Sequence, residues 1–369
     1  MFKINALNIL TIIASANAFL WFVGLLITVR GISKQKSLAP FEKELRVKPF
    51  VSILVPARNE EHRSLVQSLL SFLSQDYGNF EIVAVNDRST DKTGEIMREI
   101  AKSNEKLKVI EGKALPDDWL GKPHAMQQAF DNSKSEWILA TDADMIFDRR
   151  AISWVINHAL TNDCDAVTLI PHIDCLSFWE RVFMPTFGWY AVMAWPVEKV
   201  NNPKRKEAMG IGGFFLIKRE ALKKIDEYRG VKAEVGEDLR TAENLKRSGA
   251  KLRMEYAPDL ARTRMQTNFK EIWEGFTKNL FAGAKFNLLN TFFGTSSVFL
   301  FAVLPPLIAF VCAMMILFGG NNELIKLFIP CFLIYVFEAL IYAVINHKWK
   351  IPLCTRSLRR SDTRSFQLY

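Results

Sequence analysis

Three stretches of this sequence, residues 7–29, 298–318 and 327–345, are almost free of charge. Each is close to the roughly 20 apolar residues that cross a bilayer core, so the rest of the fold has to be arranged around membrane segments. Hydrophobic residues make up 49% of the 369 and charged residues 24%, an unremarkable average that hides how strongly charge is crowded into the middle. For the first stretch the rival reading is a signal peptide. Its apolar run exceeds the usual ~7–15 residues, and no small-residue cleavage site follows before Arg30, so a retained helix is expected over residues 1–30. The other two have an alternative as buried helices of a soluble core. Pro305 and Pro306 disfavour a regular soluble helix, whereas a membrane helix tolerates such a kink.

Basic residues suggest the orientation. Arg30, Lys34, Lys36, Lys43, Arg46 and Lys48 follow the first stretch, and Lys348, Lys350, Arg356, Arg359 and Arg360 follow the third. Between the second and third, residues 319–326 carry only Lys326 as a basic residue. Basic loops stay on the cytoplasmic side, so a multi-pass protein of the cell membrane is expected, with its central domain and tail in the cytoplasm. The net charge of +9 then reads as attraction to an anionic bilayer surface. No nucleic-acid motif accompanies it, and nucleic acid is not expected as a partner. Cys164, Cys175, Cys312, Cys331 and Cys354 lack paired metal spacing, and an odd, scattered set suits reduced cytosolic thiols. The expected organisation is a transmembrane helix at 1–30, a basic linker at 31–48 and a cytoplasmic domain at 49–279. An interfacial segment with two transmembrane helices follows at 280–346, then a basic tail at 347–369.

Within the central domain, strand and helix patterns alternate. Val51 to Val55 form a β-rich run expected to end at Pro56, and Leu65, Leu69, Phe72 and Leu73 then repeat at helical spacing. Residues 81–85, 107–110 and 137–140 read as further strands. Helices are expected after Asp87, capped at Ser89 or Thr90, and around residues 124–132. Such alternation implies an α/β domain with a mainly parallel sheet. Ligands of such sheets bind beyond the carboxyl ends of the strands. Polar clusters fall there: Asn59-Glu60-Glu61, Asp87, and Asp142 with Asp144.

Asp142 and Asp144 alternate on an extended segment, so both can face one ion. Carboxylate oxygens of this kind hold Mg²⁺ or Mn²⁺, often with substrate phosphates completing the shell; the alternative is a polar loop that caps the next helix. Asp87 can accept hydrogen bonds from a base or ribose, or serve as a cap. Asp91 reads as a cap or turn residue. Glu237-Asp238 opens a helical pattern with Leu239, Ala242 and Leu245 on one face. Carboxylates there are commonly electrostatic and structural; the functional alternative makes Asp238 a general base for an acceptor hydroxyl. Gly210-Ile211-Gly212-Gly213, before the strand-like residues 214–217, allows close approach of backbone to a ligand or forms a tight turn. It lacks the sequel of a dinucleotide fingerprint.

Four elements occur in order: Val55-Pro56-Ala57-Arg58-Asn59-Glu60-Glu61, Val85-Asn86-Asp87-Arg88-Ser89-Thr90-Asp91, Asp142-Ala143-Asp144, and Gly236-Glu237-Asp238. The set resembles the family-2, GT-A-fold inverting glycosyltransferases. The run from Leu115 through Trp119, Gly121, Lys122 and His124 to Ala125 is similar to the branch with hopanoid-associated, carotenoid and, more distantly, ceramide glycosyltransferases. The resemblance implies a nucleotide-sugar donor, a divalent metal, and single displacement with inversion. It places Pro56, Ala57, Arg58 and Glu60 along the nucleotide, Asp87 at the base, Lys122 near the donor and Asp142 at the ribose or sugar. Asp144 would hold the metal, Asp238 would be the base, and Gly212, Gly213 and Glu237 would border the acceptor. UDP is the expected nucleotide on the same ground.

The Gln/Arg-x-x-Arg-Trp motif of many relatives is missing. Arg264, Trp273 and Lys278 are the nearest residues able to supply charge and a stacking surface. That departure, with so few membrane spans, weighs against the alternative of a processive polysaccharide synthase. The acidic residues weigh against a non-catalytic nucleotide-binding scaffold. Aromatics crowd residues 177–197 and continue through Phe276, Phe281 and Phe286. They suit an element in the membrane interface or a buried helix on the sheet. With a donor pocket beside a bilayer, a lipid-like acceptor is expected.

Overall fold

The computed structural model describes residues 5–34, 37–39, 47–283 and 287–349. Lys36, Lys43, Arg46 and Phe286, and the expected tail from Lys350 onward, lie outside these. The chain divides into two compact units. One is built from Gln35–Leu176 and Ala191–Thr267, the other from Met1–Lys34, Ser177–Tyr190 and Asn268–Tyr369.

In the first unit the alternation is β1 (Val51–Ala57), α2 (Leu65–Leu73), β2 (Phe80–Asn86), α3 (Thr93–Lys102), β3 (Leu107–Glu111), α4 (Gly121–Asp131) and β4 (Trp137–Ala140). After β5 (Met145–Phe147) come α5 (Ala151–Thr161), β6 (Ala166–Ile170), β7 (His172–Ile173), α7 (Val197–Val200), β8 (Phe215–Lys218) and α8 (Arg219–Lys223). Then α9 (Glu237–Arg247) leads to β9 (Leu252–Tyr256) and β10 (Ala261–Thr263). Seven strands form one sheet in the order β3-β2-β1-β4-β8-β6-β9, and β5, β10 and β7 form a small second sheet. In the large sheet only β8 runs antiparallel to its neighbours. Parallel strands are covered on both faces, which is why β1 is buried at every position but Pro56. Ile53 and Val55 pack with Leu69 and Phe72 on one side, while Leu54 and Val83 pack with Met126 and Phe130 on the other.

Two local expectations need correction. Strand β1 continues through Pro56 to Ala57. Its pairing with β4 stops at Leu54, so the missing N–H falls where that ladder has ended. Helix α3 begins at Thr93 rather than beside Ser89 or Thr90. Those two residues instead tie the loop to the preceding one: Asn59 N donates to Ser89 Oγ (3.1 Å), and Thr90 N donates to Asn59 Oδ1 (2.9 Å). Asp91 takes the capping role, accepting from Thr93 N at 3.0 Å and from Glu61 N at 3.1 Å.

The second unit holds α1 (Ala6–Lys34), most of α6 (Phe178–Ala194), α10 (Phe269–Gly283), α11 (Leu288–Val298), α12 (Leu304–Gly319) and α13 (Ile325–Trp349). Three continuous helices, Ala6–Lys34, Leu288–Gly319 and Asn322–Trp349, are long and apolar enough to cross a membrane. A π-helical turn, Phe299–Val303, joins α11 to α12, and Pro305 and Pro306 follow in the first turn of α12. In a regular helix residue 305 would donate to the carbonyl of Phe301; proline cannot. Two side chains of α1 supply the donors instead, Asn17 Nδ2 at 2.9 Å and Trp21 Nε1 at 3.0 Å. Apolar surroundings make such replacement necessary.

Candidate active site

The carboxyl ends of β1, β2 and β4 open onto one cleft of about 380 Å³. Pro56, Ala57, Arg58 and Glu60 line it after β1, and Asp87 lines it after β2. Gly121 and Lys122 enter from the start of α4, and Asp142, Ala143 and Asp144 from the turn after β4. The donor-side residues named from sequence and Asp144 therefore share one cavity. Asp87 is buried, and its carboxylate is gripped by Arg88, Nε to Oδ1 at 2.8 Å and Nη2 to Oδ2 at 3.0 Å. Arg88 itself adopts φ 55°, the left-handed region that turns its side chain back on Asp87. A Cβ on Gly121 would stand 3.1 Å from both Asp87 Oδ2 and Arg88 Nη2, so any larger residue would crowd this pair.

Acidic groups crowd the cleft. Burial raises Asp144 to about 6, with repulsion from Asp142 adding to it. Burial also lifts Glu60 to about 7, Asp144 and Asp142 adding repulsion against the attraction of Arg63. Oε2 of Glu60 is buried with no hydrogen-bond partner among the described residues. Buried carboxylates that also repel one another fit a site that receives a cation. Among the described residues, no group of three or more His, Cys, Asp or Glu side chains can hold a metal ion. The chain would offer Asp144, and a diphosphate and water would complete the shell, as hard divalent ions accept.

Behind the cleft lies a second, small cavity of about 20 Å³, reached by Lys122, Gly212, Tyr228, Glu237, Asp238 and Thr241. Lys122 Nζ lies 2.7 Å from Asp142 Oδ1 and 2.7 Å from Glu237 Oε1. Burial alone would lower this ammonium, but Asp142, Glu237 and Asp238 outweigh it and hold it charged well above the usual lysine range. Asp238 accepts from Gly212 N at 2.8 Å and from its neighbour Leu239 N at 2.7 Å. Burial and the charge of Glu237 raise its carboxyl, while Lys122 and the two N–H groups pull it down.

The glycine run explains itself here. A Cβ on Gly212 would lie 2.9 Å from Lys122 Nζ and 3.3 Å from Asp238 Oδ2, and one on Gly213 would lie 2.7 Å from Met145 Sδ. Tyr228 and Thr241 were not apparent from sequence. Thr241 follows Glu237 by one helical turn, a spacing that could have revealed it. Tyr228 precedes a 3₁₀ turn with no such signal. Both hydroxyls are buried and lack hydrogen-bond partners among the described residues. Trp273 lies in the other unit, on α10, and is 63% exposed.

A mainly parallel sheet with an acidic cleft at its carboxyl edge is a GT-A-like α/β fold. Residues 52–226 match the profile of glycosyl transferase family 2, and the chain carries a domain of that family. A β-monoglucosyldiacylglycerol synthase of Nostoc sp. is 39% identical over 107 residues, 28% of this chain and 22% of the relative. A poly-β-1,6-N-acetyl-D-glucosamine synthase of Staphylococcus epidermidis is 30% identical over 145 residues, 36% of this chain and 33% of the relative. These matches span a third or less of the relatives' length. Among solved structures, the mannosyltransferase PcManGT from Pyrobaculum calidifontis, in complex with GDP-Man and Mn²⁺, aligns with a TM-score of 0.55 at 19% identity. The alignment covers 93% of this chain and all of that one, a likeness of fold.

Proposed function

We propose that this protein is a membrane-anchored, inverting, metal-dependent glycosyltransferase. It moves a sugar from a nucleotide diphosphate sugar, preferentially a UDP-sugar, to a hydroxyl or carboxyl of a lipid-like acceptor. The observation that carries this reading is the meeting of the donor cleft and the small cavity at Lys122, with Asp142 on one side and Glu237 and Asp238 on the other. Pro56, Ala57, Arg58 and Glu60 line the nucleotide, Asp87 meets its base, and Asp142 approaches the ribose or sugar. Bound at Asp144, Mg²⁺ or Mn²⁺ supplies neutralisation of the charge that gathers on the leaving diphosphate, and Lys122 adds to it. Asp238 takes the proton of the acceptor as its oxygen attacks the anomeric carbon from the opposite face. One displacement inverts the centre and leaves no covalent sugar–enzyme intermediate. Gly212, Gly213 and Glu237 serve the acceptor.

Support for a lipid acceptor comes from the three apolar helices and from an aromatic cluster in the same unit. Trp179 packs on Phe178 and Phe269, ring centroids 5.1 and 4.8 Å apart, and Phe269 on Trp273 at 6.2 Å. The Nostoc relative is named for a lipid product. The catalytic unit faces the cytoplasm on the charge pattern of the flanking segments. Similarity to the staphylococcal synthase favours a second reading, a processive polymerase. One assay separates them: detergent-purified protein with UDP- and GDP-sugars, Mn²⁺ or EDTA, and a total lipid extract. Metal-dependent transfer of single sugars to lipid supports the proposal. Long products from one priming event support the polymerase, and well-folded protein that neither binds nucleotide nor turns over would sink both.

A further inference from the structure

Lys122 belongs to both cavities, and this double membership carries an inference about how the two halves of the reaction are joined. A point 2.9 Å from Lys122 Nζ, 3.3 Å from Asp238 Oδ2 and 3.5 Å from Asp142 Oδ2 lies just above Gly212, where a Cβ would stand on any other residue. The three side chains thus converge over one glycine. Glu237, the residue before the base, is almost completely buried, yet its carboxylate is turned to the same ammonium at 2.7 Å. Among the described residues lining the small cavity, Lys122 is the one basic side chain.

We infer that Lys122 and Glu237 act as a positioning pair that links the donor cleft to Asp238. The pair sets the ionisation of the Asp238 carboxylate, Lys122 favouring the charged form and Glu237 opposing it, and makes its state depend on what occupies the cleft. The inference rests on the reading of Asp238 as the base. Its physical content is simple. Glu237 and Asp238 are adjacent carboxylates at one helix start, and two such groups sharing a poorly solvated site cannot both stay ionised without a counter-charge. Lys122 is that counter-charge, but it is shared with Asp142. A diphosphate entering the cleft competes for it, so donor binding and the proton affinity of the base are linked through one ammonium. The groups facing Asp238 are Glu237 from its own helix, Lys122 from α4, Asp142 from the turn after β4, and Tyr228 from just before the 3₁₀ turn. Burial and Glu237 raise the base, and Lys122 lowers it.

The test compares wild type, Lys122→Met, Lys122→Arg, Glu237→Gln and the Met/Gln double variant. The readouts are the pH profile of kcat/KM with saturating Mn²⁺ and the affinity for UDP. Lys122→Met should move the acid limb up by about one pH unit, and Lys122→Arg should return most of that shift. Glu237→Gln should move the limb down. Glu237 does not line the donor cleft, yet the Gln variant should tighten UDP binding by freeing Lys122. That gain should vanish in the Lys122→Met background, the non-additivity of a linked pair. If both single variants leave the limb in place while Asp238→Asn is inactive, the pair has no such role, and the function proposed above stands. If Asp238→Asn stays active, the base is elsewhere and the inference falls with it. Should Lys122→Met fail to fold, Glu237→Gln decides alone: an unmoved limb overturns the inference, and a downward shift with tighter UDP upholds it.

Discussion

Asp238 is held by two N–H groups, from Gly212 and Leu239, and this fixes what its replacement should do. Asparagine keeps the shape and one acceptor oxygen but cannot take a proton. Asp238→Asn is therefore expected to lower transfer by about 10²–10⁴-fold, the usual worth of a general base, and to tighten rather than weaken UDP binding, since it removes one of the carboxylates that hold Lys122. Rates by radiolabelled sugar transfer and UDP affinity by calorimetry check both halves. The pH dependence follows in sign. A base works only when ionised, and burial with Glu237 raises this carboxyl, so kcat/KM should fall on acidification at a higher pH than an ordinary aspartate, near ~4, would give. A plateau unbroken down to that value would remove Asp238 from the role. Gly210 offers a steric test. A Cβ there collides with the carbonyl oxygen of Asp238 and comes within 2.6 Å of the Phe215 ring. Gly210→Ala should cost about 1–3 kcal/mol as an overpacking change and slow turnover by displacing the start of α9. Thermal midpoint and kcat are expected to fall together.

Elements were legible wherever their cause was local. The apolar period of α2 and the β-rich runs of β2 and β4 could be read directly, because each is set by residues a few positions apart. The loop between β2 and α3 departs from its local pattern for the opposite reason. Ser89 and Thr90 have the chemistry of caps, but both are taken by Asn59, some thirty residues away in sequence, and Asp91 is left to cap. Asp91→Ala should therefore destabilise the start of α3 by removing the acceptor of the Thr93 N–H, the more so if the Glu61 N–H it also binds finds no substitute. A lower thermal midpoint, regained by Asp91→Asn, is the expected result. The same distinction governs Pro305. Its presence in an apolar run predicted a kink, but nothing nearby in sequence shows that Asn17 and Trp21 satisfy the carbonyl it leaves unpaired. Asn17→Leu makes α1 more apolar, yet it removes one of the two donors to the Phe301 carbonyl. Loss of a hydrogen bond between membrane helices costs about 0.6–1.7 kcal/mol, so the variant should unfold at lower SDS fraction, and Asn17→Leu with Trp21→Phe lower still.

For the molecule as a whole, charge segregation was the most readable property: apolar stretches mark one unit, and the strand–helix alternation between them marks the other. What the sequence leaves open is whether residues 178–190 and 269–283 group with the apolar helices or with the sheet, since that depends on contacts between distant aromatics such as Trp179 with Phe269 and Phe187 with Phe276. The grouping bears on how an acceptor is met. Phe178, at 67% exposed, and Trp273, at 63%, keep their large apolar faces open in the unit that carries the three long apolar helices. Aromatic side chains of this kind settle at headgroup depth. If the acceptor is a lipid, the enzyme encounters it at the surface density of the bilayer or micelle, not at its bulk concentration. In mixed micelles at fixed bulk acceptor, adding inert detergent should then slow transfer in proportion to the fall in acceptor mole fraction. Donor KM should stay constant, because the nucleotide sugar arrives from water. Trp273→Ala should weaken the dependence on mole fraction more than it changes donor KM. Rates that follow bulk acceptor and ignore surface dilution would mean that the acceptor comes from solution, and the aromatic faces would then have to be explained as packing within the helical unit.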